Sequence, residues 1–357
     1  LDTARVGVAR VGRLGRQATA GPGSETPDSQ AQKPSTEALY APRAVESDEV
    51  VFEIPAARGV DVYLFAGPTV REVVQRYNLF SGGGCVPPLW GLGLKYRIHT
   101  KASQAEVIEL CERLRRERIP CDMLGLEPGW QSHSYSCSLA WSPERFPQPE
   151  KLIEGTRALG FKLNLWEHAY IHPTSPLHRP LAPLSGDYLV WKGLVPDLTL
   201  PQARRIFADY HETELVRKGI LGFKADECDR QPPTDATPFN FPYATTFPSG
   251  IDAEQYSQLF GTLHQQVLAE VFERNNLRTW GDVRASGSLA APYPFLLYSD
   301  AYDHAQYLRQ LINSTYVGQL WSPELRDARS VEDMVARAEM SAFAPQMCFD
   351  MWFIKHP

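Results

Sequence analysis

Apolar and amphipathic segments alternate along the chain from Pro87 onward. Continuous apolar runs bounded by turn residues are typical of buried strands, and apolar side chains three or four residues apart are typical of helices. Strands are predicted at residues 91–96, 121–127, 161–167, 222–227, 279–285, 294–300, 317–324 and 346–353, and helices at 103–118, 149–159, 202–218, 252–275, 303–313 and 330–342. Eight strands with intervening helices predict an α/β fold, a parallel sheet closed into a (β/α)8 TIM barrel.

The segment at 103–118 carries the clearest helix signal. Ser103 stands at its start as a candidate N-cap, and Glu106 follows three residues later, as in a capping box. Two connections, 168–201 and 228–251, are long. Both follow the predicted carboxyl end of a strand, where the loops of a barrel form the mouth that carries chemistry, so their length indicates a site there.

The part of the chain before the barrel has a different character. Residues 1–48 are rich in Gly, Pro, Ser and Thr, which predicts a low-complexity leader or linker. Strands are predicted at 51–56 and 60–67, so residues 49–86 are interpreted as the end of an N-terminal β domain. The barrel then occupies 87–357, and because no eighth helix follows the eighth strand, the sequence is interpreted as a piece of a longer protein.

Composition narrows the class of protein. Of the 357 residues, 43% are hydrophobic and 11% aromatic, enough apolar side chain for a large core. The net charge of −6 argues against a nucleic-acid-binding protein. No run reaches the roughly 18 uncharged apolar residues of a membrane-spanning helix. We therefore expect neither a nucleic acid nor a membrane as partner, and the sequence leaves the oligomeric state open.

Several common chemistries lack their sequence motifs. The six cysteines form no C-x-x-C pair, and a chain of this length needs no disulfide framework, so buried reduced thiols are predicted. Neither a G-x-S-x-G elbow nor an H-E-x-x-H helix is present, and no G-x-G-x-x-G follows a strand. These absences disfavour acyl transfer, zinc proteolysis and dinucleotide binding.

Polar side chains, with acids the largest group among them, follow the predicted carboxyl ends of the strands. They are Lys95, Arg97, Glu127, Glu167, His168, Asp226, Glu227, Arg284, Asp300, Asp303, Glu324, Arg326, Lys355 and His356. Tryptophans are frequent near the same strand ends, although each alone is more often a core residue. Carboxylates around an aromatic-rich mouth suit glycoside hydrolysis, in which one carboxyl attacks or activates water and another protonates the leaving oxygen.

Nine segments follow one another in an order that resembles glycoside hydrolase family 31. They are GPTVREVVQRY, VPPLWGLGL, IPCDMLGLEPGW, WSPERFPQPEKLI, GFKLNLWEH, VPDLTLPQARRIF, GFKADECD, RASG and YSD. The resemblance implies a retaining α-glycosidase that acts on an oligosaccharide or glycoside without a metal or organic cofactor. It also implies that the barrel is preceded by a remnant of an N-terminal β-sandwich and that later β domains are missing.

The resemblance assigns the catalytic pair. GFKADECD resembles the family's Phe-Lys-x-Asp motif, which makes Asp226 the nucleophile; a structural or helix-capping acid is the alternative. The family's acid/base residue ends the sixth strand, where YSDAYDH offers Asp300. Asp303 is its competitor, because a carboxylate at the start of the next helix can stabilise the helix dipole without taking part in chemistry.

Further positions carry over as candidate substrate-binding residues. They are Glu127, Trp166, Lys224, Arg284, Trp321 and His356, and Glu167 and Glu324 are expected to line the same pocket. Where the family usually has Asp-Ile-Asp after the second strand, this chain has Glu127-Pro128-Gly129. That departure indicates a sugar of different shape or reach.

The sugar is left open among glucose, xylose and galactose. The Phe-Lys-x-Asp variant is more similar to the α-xylosidase and α-galactosidase members of the family than to its starch-degrading α-glucosidases. Two alternative hypotheses remain. One is a carbohydrate-binding barrel without turnover, and the other is an α-galactosidase of a related barrel family, against which VPPLWGLGL and PERFP argue.

Overall fold

The computed structural model describes most of the chain. It covers residues 61–229, 240–287, 289–299, 304–326 and 328–352, with the backbone of 7–11 and 50–54. The chain divides into two compact units, Leu1–Tyr63 and Leu64–Pro357. They are described separately below.

The first unit contains a two-stranded antiparallel sheet. Strand β1 (Gly7–Val11) pairs with β2 (Val50–Ile54), which confirms the strand predicted at 51–56. The strand β1 was not predicted, because it lies in a segment dominated by Gly, Pro, Ser and Thr. The strand predicted at 60–67 is wrong for the residues described: 61–67 lie in no strand, since no described strand runs beside them to complete a ladder.

Eight parallel strands of the second unit close into a barrel among the described residues. They are β3 (Gly93–Ile98), β4 (Cys121–Leu126), β5 (Lys162–Glu167), β8 (Gly222–Ala225), β9 (Gly281–Val283), β10 (Phe295–Ser299), β11 (Trp321–Leu325) and β12 (Gln346–Asp350). The last strand pairs with the first from Gln346 opposite Gly93 to Asp350 opposite Arg97. The predicted (β/α)8 TIM barrel is confirmed.

Seven helices of ten or more residues lie in the described part of this unit. They are α1 (Val70–Phe80), α2 (Gln104–Arg116), α3 (Pro149–Ala158), α4 (Pro201–His211), α5 (Ala253–Arg274), α6 (His304–Tyr316) and α7 (Val331–Ser341). The chain continues from α4 through one π-helical turn, Glu212–Val216. No described helix has both the length and the apolar character required to cross a membrane.

Helix α2 shows how these helices are specified. Its predicted capping box is confirmed, because Ser103 Oγ accepts from the Glu106 N–H while the Glu106 carboxylate accepts from the Ser103 N–H at 2.7 Å. Val107, Cys111 and Leu114 form one apolar stripe and are buried against the barrel. Burial of one such aliphatic side chain contributes about 1.5–3 kcal/mol.

All six cysteines are unpaired and five are buried, which confirms the predicted thiols.

The long connection after β5 contains a hairpin of β6 (Ser185–Val190) and β7 (Gly193–Pro196) that was not predicted. Its tip residues Trp191 and Lys192 have φ of 47° and 64°, a geometry that Asn-Gly would have signalled and Trp-Lys does not.

The turn that follows β4 depends on a glycine. The N–H of Gly129 donates to Thr100 Oγ1 at 3.0 Å, and a Cβ at this position would lie 1.6 Å from the carbonyl oxygen of Thr100. The backbone fixes the position of a Cβ, and the carbonyl oxygen is itself a backbone atom. No side-chain rotation therefore relieves the contact. Only glycine therefore fits at position 129 in this arrangement of the two loops.

We predict that Gly129→Ala lowers the free energy of unfolding by about 2 kcal/mol or more, because one of the two loops must move away. Gly84→Ala is the control, since a Cβ there meets no atom within 4 Å. Urea unfolding of both variants measures the effect. Equal stability of the two variants would contradict the close approach.

Candidate active site

Asp226 follows the last residue of β8 and is the most tightly held acid at the carboxyl ends of the strands. Its N–H donates to the carbonyl of Glu167 at 2.8 Å, which fixes its backbone beside β5. Its carboxylate accepts from Trp166 Nε1 at 2.7 Å and from the N–H of Glu227 at 2.8 Å. Arg284 NH1 lies 3.5 Å from the same carboxylate. These contacts leave the residue 7% exposed and orient both oxygens.

The electrostatic surroundings keep Asp226 ionised. Burial alone raises the pKa of a carboxyl group, but the Arg284 and Lys224 cations and the donor groups of Tyr298 and Trp166 outweigh it. The pKa of Asp226 is therefore held well below its usual range. An ionised, buried carboxylate with fixed oxygens is what a nucleophile requires at neutral pH.

Lys224, two residues before Asp226, lies inside the barrel between two acids. Its Nζ is 2.6 Å from Glu324 Oε1 and 3.7 Å from Asp350 Oδ2. Burial lowers the pKa of Lys224, but Glu127 and these two acids outweigh it and raise that pKa. Lys224 is thus a permanent cation below the mouth.

Glu324 carries an unusual carboxyl group. Burial raises its pKa to about 7, because the nearby Asp350 adds to the effect and Lys224 only partly offsets it. Its Oε2 atom has no hydrogen-bond partner among the described residues. Glu324 therefore keeps its proton to a higher pH than an ordinary glutamate does.

Glu127 directly follows β4, at the start of the turn, and is buried beside Arg97. The Nε atom of Arg97 donates to Glu127 Oε1, and the NH1 atom donates to Asn164 Oδ1 at 2.7 Å. Asn164 in turn donates to Asp282 Oδ2 at 3.3 Å, and Asp282 pairs with Lys95. The interior below the mouth is therefore a connected polar network in place of branched aliphatic side chains.

A family model described as the glycosyl hydrolases family 31 TIM-barrel domain matches residues 84–347. The chain belongs to glycosyl hydrolase family 31. Curated relatives include the α-xylosidase XylQ of Lactiplantibacillus pentosus, 30% identical over 221 residues, or 55% of this chain and 29% of the relative. Neutral α-glucosidase AB of Sus scrofa is 28% identical over 169 residues, or 43% of this chain and 18% of the relative.

Solved structures agree on the fold. The dextranase FjDex31A of Flavobacterium johnsoniae, a family 31 enzyme complexed with glucose, superposes with a TM-score of 0.67 at 17% identity. The match covers 80% of this chain and 39% of that one. The chain spans less than a third of the length of the two curated relatives above.

The structure brings together some of the family 31 candidates. Trp166, Lys224 and Arg284 all lower the pKa of Asp226. Glu127 lies near Lys224 and raises the pKa of that lysine. Asp300, Asp303 and His356 lie outside the described residues. Arg284 has a second acid in reach, because its Nε lies 3.1 Å from Asp229 Oδ2.

Two expected pocket residues lie elsewhere. Trp321 is the first residue of β11, so it lies at the end of the strand opposite the mouth, and its ring packs 5.2 Å from that of Tyr307 on α6. Its assignment as a substrate-binding residue is corrected for that reason. Glu167 is also outside the pocket, because its carboxylate faces the helices and accepts from His264 at 3.0 Å.

The Glu167 cluster ties β5 to two helices. His211 on α4 donates from Nδ1 to the Phe207 carbonyl, and its Nε2 lies 3.1 Å from Glu167 Oε2. Burial raises the pKa of Glu167, but His211 and His264 outweigh it and lower that pKa to about 2. The cluster anchors the strand end that carries Trp166, whose indole donates to Asp226.

Two tyrosines at the site were missed by the sequence analysis. Tyr135, in the loop after β4, has its ring centroid 5.2 Å from that of Trp166 with the planes tilted by 50°, and its hydroxyl lies 3.5 Å from Glu227 Oε1. Tyr298 lies inside β10, below its carboxyl end. Neither ends a strand, so a search restricted to strand-end polar residues passes over both.

We predict that Glu324 makes stability depend on pH. Its folded pKa of about 7 lies above the ordinary 4.5, so its contribution is complete below about 4.5 and is lost as the pH rises through 7. In Glu324→Gln this contribution is absent. The melting temperature of the native protein minus that of the variant should decrease as the pH rises from 5 to 8. A difference that does not change with pH would contradict the raised pKa.

Proposed function

We propose that the barrel catalyses hydrolysis of terminal α-linked sugars with retention of configuration, with Asp226 as the nucleophile. The supporting observation is the buried Asp226 carboxylate, held ionised by Arg284 and Lys224 and oriented by Trp166. A structural or capping acid does not need two cations nearby and an indole donor on its carboxylate. Its position directly after the fourth barrel strand supports the same role.

Asp300 is proposed as the general acid and base. It follows Ser299, the last residue of β10, in the sequence. Neighbouring strands of a parallel barrel deliver such residues to one mouth, and retention requires the two carboxyl groups about 5–5.5 Å apart. Asp303 lies closer to the start of α6 and is the less favoured candidate.

The reaction follows as a double displacement. Asp226 attacks the anomeric carbon while Asp300 gives its proton to the departing glycosidic oxygen, which forms a covalent glycosyl-enzyme. Asp300, now ionised, takes a proton from water as the water oxygen attacks the same carbon. The bond to Asp226 breaks, and both acids return to their starting states.

The proposed substrate is an α-glycoside whose terminal sugar is small at the far side of its ring. The resemblance assigns recognition of that side to the position of Glu127, which is one methylene longer than the usual aspartate and fixed by Arg97. A longer acid fills space that a hydroxymethyl group would need. We therefore rank α-xylosides before α-glucosides and α-galactosides, in keeping with the name of the XylQ relative.

A panel of p-nitrophenyl α- and β-glycosides tests the activity. We expect release from α-glycosides alone, with Asp226→Ala reducing the rate by about 10⁴-fold or more for every substrate. Asp300→Ala should retain the glycosylation step for activated aryl glycosides, because a good leaving group needs no acid. Asp209→Ala, an exposed surface acid, is the control and should not change the rate.

Two results would contradict the assignment. Release of p-nitrophenol from β-glycosides alone would contradict the proposed activity. An equal loss of rate in Asp226→Ala and Asp300→Ala on a glycosyl fluoride would contradict the division of roles. Sugar-dependent thermal stabilisation without any hydrolysis would favour the carbohydrate-binding alternative.

A further inference from the structure

The strand register places a tyrosine at the level of the nucleophile. Ladder pairs join β8 to β9 and β9 to β10, with Val283 opposite both Ala225 and Leu297. The residues that follow these three in sequence are Asp226, Arg284 and Tyr298. In a parallel sheet they form one row across three neighbouring strands. The register therefore supplies the nucleophile, its cation and a phenol side by side.

The phenol of Tyr298 is buried close to Asp226 but makes no well-formed hydrogen bond. The residue is 2% exposed, and its hydroxyl has no hydrogen-bond partner of ordinary geometry among the described residues. A buried hydroxyl without a partner is costly, and tyrosine is retained in cores mainly where its hydroxyl can reach one. Phenylalanine would fill the same space without this cost. The retained hydroxyl therefore indicates that it forms its hydrogen bond during the reaction.

Two cations hold the ring in place. Lys224 Nζ lies 4.7 Å from the ring centroid of Tyr298, and the guanidinium carbon of Arg284 lies 5.8 Å from it. These are the same two cations that act on Asp226. Attraction between a cation and the face of an aromatic ring stabilises this arrangement. The ring cannot swing away from the nucleophile without losing both contacts.

The phenol remains a proton donor at working pH. Burial and the neighbouring Asp226 raise the pKa of Tyr298 well above its usual range. In return, Tyr298 is one of the groups that lower the pKa of Asp226. Hydrogen bonds to catalytic groups are often long or poorly aligned before substrate binds and shorten in the reacting complex.

We propose that Tyr298 is a catalytic residue whose hydroxyl donates a hydrogen bond to the carboxylate of Asp226 as that carboxylate leaves the sugar. This proposal rests on the function proposed above. In the second step the bond between the anomeric carbon and Asp226 breaks, and its electron pair returns to the carboxylate oxygen. Water supplies the new oxygen and gives its proton to the acid/base residue. Tyr298 keeps its proton throughout and stabilises the departing anion.

The two half-reactions depend differently on this bond. The carboxylate is consumed in glycosylation and regenerated in deglycosylation, so a donor that stabilises it favours the second step. Hydrogen bonds to charged groups correspond to about 10- to 100-fold in a rate. Loss of the hydroxyl is therefore expected to slow deglycosylation by that factor and to let the glycosyl-enzyme accumulate.

Tyr298→Phe tests the proposal on the full chain. With an activated aryl α-glycoside we expect kcat to fall about 10- to 100-fold and KM to fall with it, while a burst of phenol release appears. Intact-protein mass spectrometry should then detect the covalent adduct. A loss of folding would lower kcat without lowering KM or producing a burst. Tyr293→Phe, five residues earlier and partly buried, is the matched control and should keep native kinetics.

A second measurement does not need turnover. A water-soluble carbodiimide modifies only protonated carboxyl groups, so its rate at Asp226, followed by peptide mass spectrometry at pH 5, reports the pKa of that acid. We expect faster modification in Tyr298→Phe than in the native protein and the control. An unchanged rate would overturn the proposal even if no glycoside is hydrolysed. A native protein that is inactive on every α-glycoside, with a faster rate in the variant, would overturn the proposed function and leave the contact to Asp226 supported.

Discussion

Ionised side chains that are cut off from water must neutralise one another, and the interior of this barrel is built on that requirement. The buried pairs are Lys95 with Asp282 and Arg97 with Glu127, and Lys224 lies between Glu324 and Asp350. The first joins β3 to β9, which lie opposite each other in the ring of strands, so the pair spans the interior. Removal of one member of such a pair leaves a buried charge and costs about 3–5 kcal/mol. The same charges that complete the core therefore set the electrostatic field at the mouth.

Asp226, the proposed nucleophile, is fixed from outside the barrel as well as from within. Its backbone N–H donates to the carbonyl of Glu167, and the side chain of Glu167 is held by His211 and His264 in the helical layer. Trp166, on the other face of the same strand, donates to the carboxylate of Asp226. Strand β5 thus links the surrounding helices to the carboxylate of Asp226. Such rigidity suits a group that must keep one orientation through two displacements.

The sequence could predict the barrel because eight apolar runs and the helices between them repeat at regular spacing. It could predict that Asp226 lies at the carboxyl end of a strand, because its motif follows an apolar run. It could not predict which way Glu167 or Trp321 faces. Strands buried on both sides lack the alternation of polar and apolar residues that identifies each face, and a shift of one residue reverses every side chain. The Trp191 hairpin tip was missed because its residues are unusual for left-handed backbone.

The close approach of Gly129 to the carbonyl of Thr100 has a consequence for how this barrel can change over generations. A carboxylate cannot occupy position 129 while that carbonyl fills the space, so an acid there requires the loop that carries Thr100 to move first. The order of substitutions is then constrained by one backbone contact. A side chain at position 129 is thus accepted only together with a change in the loop that carries Thr100.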